Sequence, residues 1–548
     1  MEKKPTIKKP AVKPAVKKPV AKAEAAKVEA PMELEKETIT MKKKDNYLPK
    51  PEKAPNKIFK ITTWVLAGIS IASLVALLVN VLRLNILPTK YLTLVIIGLV
   101  VLAALNLFFA LFKKKEIILK SISIVLSLLY SGVAIFGFLK INDTLNFFNN
   151  FGTETITNTY NVIVAKESRL TEDTDLTDHT IYTYRDLTID SNLVVDAIQK
   201  NYKANTEFVD NILNLTADIS NDTDKVAAIN AGTYEAFLSD NEIYKDSFKI
   251  IKTFDIITEA EKSDELDITK DPFVIFLSGI DTRTGTLPSR SLSDVNIVAT
   301  INPSEHKILL TAIPRDYYVH LAGTDPGALP DKLTHAGSHG GLALSKATVE
   351  ELLGIKINYY IRVNFNFVKN LVDSIGGITV NSDVNYSFNC WTDRGCKINP
   401  GDNAVDGRCA LAFARERKAY SAGDRHRGEN QEQVISRILD KVSKSSTLLS
   451  SYSDILNALN GTFETNFTSD DITTFFKNQL EDMHGWTVEN QNLNGTGGMA
   501  FTYSYPSQAL SVMYPDPATI DAAKAKINEY LGIEPEEPEA PAEETPAE

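Results

Sequence analysis

Three long runs of apolar residues follow one another near the start of the chain. They cover residues 61–82, 91–112 and about 117–139, and Lys120 is their one internal charge. Each approaches the ~20 residues that a helix needs to cross a bilayer. A single run could be a buried helix of a globular domain, but three in succession favour membrane helices. A polar stretch of some sixty residues precedes the first run, which is not the pattern of a cleaved signal peptide.

Basic residues flank these runs unevenly. The first sixty residues are rich in lysine, the second connection holds Lys113–Lys115, and the first connection holds only Arg83 and Lys90. Positive charge marks the cytoplasmic side, so the N-terminus is predicted inside and everything after Lys140 outside. Residues 1–60 are then a disordered cytoplasmic tail beside anionic lipid. Nucleic acid is the less favoured partner for such a tail.

Beyond the apolar runs, the pattern predicts an accessory domain over residues 141–271. That region is rich in Asp, Thr and Asn, and its apolar residues at helical spacing predict a helix from Leu193 to Leu215. From residue 272 to 532, short β-rich runs alternate with amphipathic helices. This alternation predicts an α/β domain with a central mixed sheet and flanking helices. The predicted strands are 273–280, 296–301, 308–313, 378–380 and 409–414, and the predicted helices are 345–353, 365–375 and 427–442.

Length and charge agree with several units. The chain has 548 residues, 43% of them hydrophobic, which suffices for two or three domains. The formal net charge of −12 is uneven, because residues 533–548 form an acidic, proline-rich tail that is predicted to be disordered. No zinc spacing and no Ser-His-Asp order is found.

Charged residues gather where the predicted elements of the α/β domain end. Asp281 follows the first strand, Asp294 precedes the second and Arg315 follows the third. On the predicted strand from Cys409, alternation would place Arg415 and Arg417 on one face. On the following helix, the residues Arg427, Gln431, Val434 and Ile438 lie within about 60° of one another. Both elements therefore predict an apolar floor with an arginine-rich end.

This arrangement suggests a phosphorylated lipid. Arginine gives planar, paired donors for phosphate oxygens, and several arginines suit a pyrophosphate. Asp281 and Asp294 beside an anion would need a cation between, which predicts Mg²⁺ (or Mn²⁺) held by carboxylates and phosphates. The apolar floor then indicates a lipid pyrophosphate. Surface salt bridges are the alternative, and for any single arginine they are the commoner role.

The stretch from Phe273 to about Lys441 resembles the LytR-CpsA-Psr family of cell-envelope proteins. The resemblance is carried, in order, by LSGID at 277–281, SDVNIVATINP at 293–303, TAIPRDYYV at 311–319, DKLTHAG at 331–337, NYYIRVNF at 358–365, VDSIGGITV at 372–380 and DGRCALAFARERKAYSAGDRHRGENQ at 406–431. Three membrane runs and an accessory domain before this unit look like the capsule-associated branch.

The resemblance implies an extracytoplasmic transferase in the plasma membrane. Such proteins move a capsular polysaccharide, teichoic acid or related glycan from a polyprenyl pyrophosphate carrier to peptidoglycan, and other wall-assembly proteins are expected partners. A hydrolase that releases the polymer to water stays open. So does a non-enzymatic scaffold or regulator. The bond that is cut, at phosphorus or at the sugar carbon, also stays open.

Residue by residue, the resemblance assigns roles in a predicted site. Asp281 and Asp294 match the metal-linked aspartates, and Arg315 and Asp424 match residues tied to activity. The pyrophosphate would be bound by the basic and amide side chains of Lys332, Arg415, Arg417, Arg425, Arg427 and Gln431. The family usually has Arg at the position of Leu292, so Arg290 is the predicted substitute. Glu429 and Glu432 depart from the family pattern and are expected to weaken the local positive field.

Three cysteines lie in the α/β domain. Cys390 and Cys396 flank a small loop on the predicted outer side, where disulfides persist, so a bridge between them is predicted. Two free thiols are the alternative. Cys409 is predicted to lie in the core.

Overall fold

The computed structural model describes residues 55–149, 155–280, 282, 287–421, 423–443, 454–455, 461–482 and 485–534. The lysine-rich tail, except for its last residues 55–60, and nearly all of the acidic tail lie outside these residues. Asp281 also lies outside them, as does the side chain of Asp424.

The three apolar runs form long helices, as the sequence predicts. They are α1 (Lys57–Leu84), α2 (Thr89–Leu111) and α3 (Glu116–Asn149). All three are long and apolar enough to cross a membrane. The amide of Asn106 on α2 donates to Ser70 on α1 and to Ser127 on α3, at 2.9 and 2.8 Å. Such polar contacts join helices in a medium that offers no water.

The next unit is a five-stranded sheet with three helices. The sheet order is β3-β2-β4-β1-β5. Its strands are β1 (Thr155–Ala165), β2 (Thr180–Tyr184), β3 (Asn205–Val209), β4 (Val226–Asn230) and β5 (Phe248–Glu259), and its helices are α4 (Ser191–Tyr202), α5 (Ile212–Asn221) and α6 (Ala231–Asp240).

The single helix predicted over 193–215 is therefore wrong. The backbone of Lys203 turns left-handed, with φ at 54°, and ends α4. Strand β3 follows and pairs with β2 in parallel, and Asn211 then caps α5 through its side chain. Helical spacing of apolar residues on both sides of the break gave the appearance of one continuous helix.

The α/β domain is built on a six-stranded mixed sheet in the order β16-β11-β6-β7-β8-β17. The pairs β6–β11 and β8–β17 are parallel and the other pairs are antiparallel. The strands are β6 (Phe273–Ile280), β7 (Ser293–Asn302), β8 (Lys307–Ala312), β11 (Tyr359–Asn364), β16 (Phe463–Thr465) and β17 (Thr487–Asn492). The predicted central mixed sheet is confirmed, and so are its three strands within 273–313.

Helices cover both faces of this sheet, but only one face is filled. On that face, Val274 and Phe276 pack against α7 (Leu333–Leu353) and α12 (Pro517–Leu531). Ile275 and Leu277 alternate to the other face, where α8 (Phe365–Ser374), α10 (Asp424–Val442) and α11 (Ser469–Asp482) surround a cavity. The helices predicted over 345–353, 365–375 and 427–442 are confirmed as parts of α7, α8 and α10.

Four two-stranded ribbons complete the described domain. They are β9 (Tyr318–Val319) with β10 (Asp331–Lys332), β12 (Ile378–Ser382) with β15 (Gly401–Val405), β13 (Phe388–Asn389) with β14 (Lys397–Ile398), and β18 (Gly495–Phe501) with β19 (Ala509–Pro515). The strand predicted over 378–380 is thus confirmed within β12.

The segment predicted as a strand over 409–414 is instead helix α9 (Gly407–Ala414). The side chain of Asp406 accepts a hydrogen bond from the backbone N–H of Cys409, which caps the helix. Alanines at three alternate positions, which suit a helix, produced the apolar pattern that reads as a strand. The strand-face argument for Arg415 and Arg417 is therefore wrong, and Arg415 follows the helix as its C-terminal cap.

The predicted bridge between Cys390 and Cys396 is also wrong. Cys396 pairs with Cys409, with the Cα atoms 5.3 Å apart, and Cys390 is a buried free thiol. Cys390 lies opposite Cys396 across the β13–β14 ribbon, where its backbone N–H donates to the Cys396 carbonyl at 2.9 Å. The bridge instead fastens this ribbon to α9, which the short loop spacing could not reveal.

We expect non-reducing peptide mapping of the full chain to find the Cys396–Cys409 bridge. Replacing Cys409 by serine should lower the free energy of unfolding by about 2–4 kcal/mol, because the bridge closes a short loop in the unfolded chain. Cys390→Ala is the matched control and should leave the bridge in place. Recovery of a Cys390–Cys396 peptide from the native protein would contradict the structure.

Candidate functional site

A large apolar cavity lies on the open face of the six-stranded sheet. Its volume is about 460 Å³, within the ~300–1,000 Å³ typical of ligand sites. Sheet residues such as Ile275, Leu277 and Ile308 form its floor, and Val434 and Ile438 of α10 form one wall. The apolar side predicted for the helix from Arg427 is therefore present as a wall of this cavity, whereas the sheet, and not the predicted strand 409–414, forms the floor.

Several polar side chains also line this cavity, and we call four of them its polar end: Asp294, Arg415, Arg427 and Gln431. Asp294 is the second residue of β7, Arg415 caps α9, and Arg427 and Gln431 lie one turn apart on α10. Sheet, cap and helix thus bring together residues separated by more than a hundred positions in sequence. The helical spacing of Arg427, Gln431, Val434 and Ile438 predicted this wall correctly.

Asp294 sits between two arginines. Its Oδ1 lies 2.6 Å from Nη1 of Arg315, and its backbone carbonyl accepts from Nη2 of Arg427 at 3.3 Å. The side chain of Arg427 is buried, whereas those of Asp294 and Arg315 are partly exposed. A buried guanidinium held by the backbone is already oriented before a ligand binds, which suits anion binding.

Lys332 belongs to the same charged group through Asp316. Its Nζ lies 2.9 Å from Asp316 Oδ1, and Nε of Arg315 lies 3.7 Å from the other carboxylate oxygen. Burial alone would raise the pKa of Asp316, but the charges of Arg315 and Lys332 outweigh it and lower that pKa. Asp316 therefore stays ionised and holds both cations beside the polar end. The sequence reasoning missed this role, although Asp316 stands in the PRD motif.

The segment after α9 is organised by a residue to which the sequence reasoning gave no role. The buried carboxylate of Glu416 accepts from the backbone N–H groups of Arg417, Lys418 and Ala419 at 2.7–3.1 Å, and also from Trp391. Next to it, the guanidinium carbon of Arg415 lies 4.0 Å from the ring centroid of Phe365. The hydrogen bonds to Glu416 thus fix the segment after α9, and the cation–π contact with Phe365 helps to hold the guanidinium of Arg415.

The remaining predicted site residues have different positions. Arg425 is exposed and lines a small cleft beside the polar end, together with Arg315 and Arg427. Arg417 is exposed on the segment fixed by Glu416. Asp424 begins α10, next to these residues in the chain.

Arg290 does not reach the polar end, so its predicted pyrophosphate role is contradicted. Its side chain is buried against the accessory unit, where Nη1 lies 2.7 Å from Asp186 Oδ2 and also donates to the carbonyl of His339. Its Nη2 donates to Thr188 at 3.1 Å. The partner carboxylate stands about a hundred residues earlier, so nothing near Arg290 in the sequence announces this role.

Glu432 does not weaken the positive field as expected. Burial raises its pKa to about 8, so the side chain is mostly uncharged at neutral pH. Its Oε2 accepts from the amide of Asn492 at 3.2 Å. Glu429, the other departure from the family pattern, lies 2.8 Å from the imidazole Nδ1 of His426.

We expect Glu432→Gln to stabilise the protein in a pH-dependent way. A carboxyl whose folded pKa is raised contributes stability below its unfolded pKa, near 4.5, and loses it as the pH rises towards 8. The gain in melting temperature over wild type should therefore be small at pH 5 and grow up to pH 8. The corresponding gain in the free energy of unfolding should reach a few kcal/mol at pH 8, at about 1.4 kcal/mol per pKa unit. Glu429→Gln is the control, and an equal gain at every pH would contradict the account.

The polar end has few side chains that could bind a metal ion. Among the described residues, no group of three or more His, Cys, Asp or Glu could enclose a metal. Mg²⁺ does not need one, because it commonly takes one or two carboxylates and completes its shell with water and phosphate. Asp294 offers such a carboxylate at the polar end. The donors present therefore fit a Mg²⁺ that takes most of its ligands from a phosphorylated substrate.

Comparisons with known proteins identify the family of this domain. The model of the LytR_cpsA_psr family matches residues 237–514. The chain is 34% identical to the polyisoprenyl-teichoic acid–peptidoglycan teichoic acid transferase TagU of Enterococcus faecalis, over 48% of this chain and 84% of that protein. It is 30% identical to TagU of Bacillus subtilis, over 46% and 79% of the two chains.

A solved structure is also similar. The crystal structure of Bacillus subtilis TagV is 27% identical, covers 48% of this chain and 99% of its own, and superimposes with a TM-score of 0.41. The family assignment rests on the sequence matches. The chain therefore belongs to the LytR_cpsA_psr family.

Proposed function

We propose that this protein is an extracytoplasmic transferase that moves a glycopolymer from a polyprenyl pyrophosphate carrier to peptidoglycan. The observation that carries the proposal is the apolar cavity of about 460 Å³ with Asp294, Arg415, Arg427 and Gln431 at one end. A carrier of this kind has the same two parts, an apolar chain and a charged pyrophosphate. The names of the relatives, which are teichoic acid transferases, support the same reaction class.

The cavity suits the prenyl chain on energetic grounds. Burying apolar surface stabilises a complex by about 25 cal/mol per Å² removed from water, and this cavity is lined mostly by aliphatic and aromatic side chains. The guanidinium groups of Arg415 and Arg427 would meet the pyrophosphate where the chain leaves the cavity. Neither feature alone selects such a ligand, but their continuity does.

The topology completes the proposal. Three helices precede the domain, so an N-terminus in the cytoplasm places the domain outside. The lysine-rich flanks at residues 1–60 and Lys113–Lys115 support this orientation. The site would then face both the outer leaflet, which holds the carrier, and the peptidoglycan.

The transfer step that we propose is a substitution at phosphorus. A peptidoglycan hydroxyl attacks the phosphorus that carries the glycan, a new P–O bond forms, and the bond from that phosphorus to the bridging oxygen breaks. Prenyl phosphate leaves with the electron pair, and the hydroxyl proton passes to a base, for which Asp424 is our candidate by family position. Arg415 and Arg427 stabilise the charge that develops on the leaving prenyl phosphate.

Asp294, together with Asp281, would hold the proposed Mg²⁺. The ion would supply Lewis-acid charge to the phosphate oxygens. The ion pair between Asp294 and Arg315 keeps this carboxylate oriented at the polar end.

The proposal is tested with the purified full chain in nanodiscs. The substrates are a radiolabelled teichoic acid precursor or capsular repeat on polyprenyl pyrophosphate, peptidoglycan fragments and Mg²⁺. We expect label to appear on peptidoglycan with release of prenyl phosphate. If the label is released as free polymer, the protein is a hydrolase and the proposal is wrong. Unchanged substrate, with the carrier bound, would replace it by a scaffold.

A further inference from the structure

Helix α11 forms part of the cavity wall. Its side chains Ile472, Phe475 and Phe476 line the cavity, as does Phe463 of β16. The remaining positions of α11 are mostly polar or charged. The helix is therefore amphipathic, and part of its apolar side faces the cavity.

The same helix rests on the outer ends of the membrane helices. Ile86, in the connection between α1 and α2, and Leu480 of α11 form a small buried cluster. The half-buried side chains around this cluster are Leu84, Tyr91, Phe147, Val442, Ile472 and Phe476. Two of these, Ile472 and Phe476, also line the cavity. We call this cluster the seam.

Two further contacts fix the seam. The ammonium of Lys90 donates to the backbone carbonyl of Glu481 at 2.6 Å. The rings of Phe147, near the end of α3, and Phe463 stack with centroids 6.5 Å apart. Cavity wall and membrane helices thus share residues and are held by both polar and aromatic contacts.

The geometry of the helices puts the seam at the membrane surface. The end of α1, the start of α2 and the end of α3 must lie on one side of a bilayer, because three helices cross in succession. Helix α3 has 34 residues, so at ~1.5 Å per residue it is about 51 Å long, against a hydrocarbon core of ~30 Å. Its last turns therefore rise out of the core, where Phe147 meets the domain. Tyr91 suits the interface, where aromatic residues collect.

We propose that the seam is a lipid portal through which the prenyl chain passes between the outer leaflet and the cavity. The inference rests on the proposed function, and it adds which part of the protein receives the far end of the carrier. A cavity of about 460 Å³ holds a drug-sized molecule. A carrier chain that stays anchored in a bilayer is longer, so it must leave the cavity. Among the described cavity walls, α11 and β16 contact the membrane helices, and Ile472 and Phe476 of α11 belong to both the cavity and the seam.

A photolabelling experiment tests the portal. The probe is a long-chain prenyl pyrophosphate with a photoreactive group at the tip of its chain, added to the full chain in nanodiscs. We expect labelled peptides from residues 84–91, 143–147 or 472–480. Excess geranylgeranyl pyrophosphate should displace this label. Label confined to other surfaces, or equal labelling of the seam by a photoreactive phospholipid that is not displaced, would overturn the portal.

A second experiment separates the portal from the proposed function. In Ile86→Ala/Leu480→Ala the seam is loosened, but no residue that lines the cavity is changed. Transfer from a long-chain carrier in nanodiscs should fall several-fold, whereas transfer from a short, water-soluble prenyl pyrophosphate glycan should not. Val100→Ala, on the exposed middle of α2, is the control. An equal change with both substrates would overturn the portal, while a wild type that transfers neither would overturn the proposed function instead.

Discussion

Replacing Arg427 by alanine should reduce transfer to peptidoglycan by about 100- to 1,000-fold in kcat. The loss of one preorganised donor to developing negative charge commonly costs that much. Arg427 is buried at the polar end of the cavity and is held by the Asp294 carbonyl, so a mobile side chain cannot replace it. The measurement is the initial rate with labelled lipid-linked glycan at saturating substrate.

Two variants control this experiment. Arg437→Ala removes an exposed arginine of the same helix and should leave the rate within about twofold, since exposed charges contribute little. Arg427→Lys should recover only part of the rate, because an ammonium lacks the paired donors of a guanidinium. Melting temperatures show whether each variant folds. A folded Arg427→Ala protein with the wild-type rate would contradict the assignment of the polar end.

Replacing Arg290 by alanine should destabilise the protein by about 3–5 kcal/mol, because Asp186 would be left as a buried, unpaired carboxylate. Burial alone would raise the pKa of Asp186, yet the charge of Arg290 keeps it below its ordinary value. The melting temperature should fall by roughly 10 °C. An arginine that binds pyrophosphate would behave differently, since its replacement by alanine would lower the transfer rate and leave the stability of the protein intact.

A double variant sharpens this prediction. Arg290→Met with Asp186→Leu removes both charges and should be markedly more stable than Arg290→Ala, since buried ion pairs are commonly replaceable by apolar residues. Both side chains are about 1% exposed, so water cannot solvate either charge alone. A double variant no more stable than the single one would show that the loss does not come from the unpaired carboxylate.

The sequence predicted those features that depend on local periodicity. Membrane helices, the strand 273–280 and the α10 wall with Arg427 and Gln431 all follow from the spacing of apolar residues. Residues at helical spacing on one element must share a face, whatever else the chain does. For the same reason, the apolar side of α10 could be predicted before the cavity was known.

The predictions that were wrong concern features that depend on contacts between distant segments. Arg290 is paired with Asp186, which follows strand β2 of the other sheet, and Cys396 is paired with the cysteine farther along the chain. Alternating alanines in α9 suit either a strand or a helix, and the cap from Asp406 decides between them. Glu416 and Asp316 act through backbone and ion-pair geometry, which leaves no periodic signal.

The central claim is that the cavity and its polar end together bind a prenyl pyrophosphate. A structure of the full chain with geranylgeranyl pyrophosphate and Mg²⁺ tests it most directly. We predict that the prenyl chain lies against Ile275, Leu277 and Ile438 inside the cavity. The pyrophosphate oxygens should lie within hydrogen-bond distance of Arg415 and Arg427. Pyrophosphate bound away from these arginines, or a prenyl chain outside an empty cavity, would contradict the account.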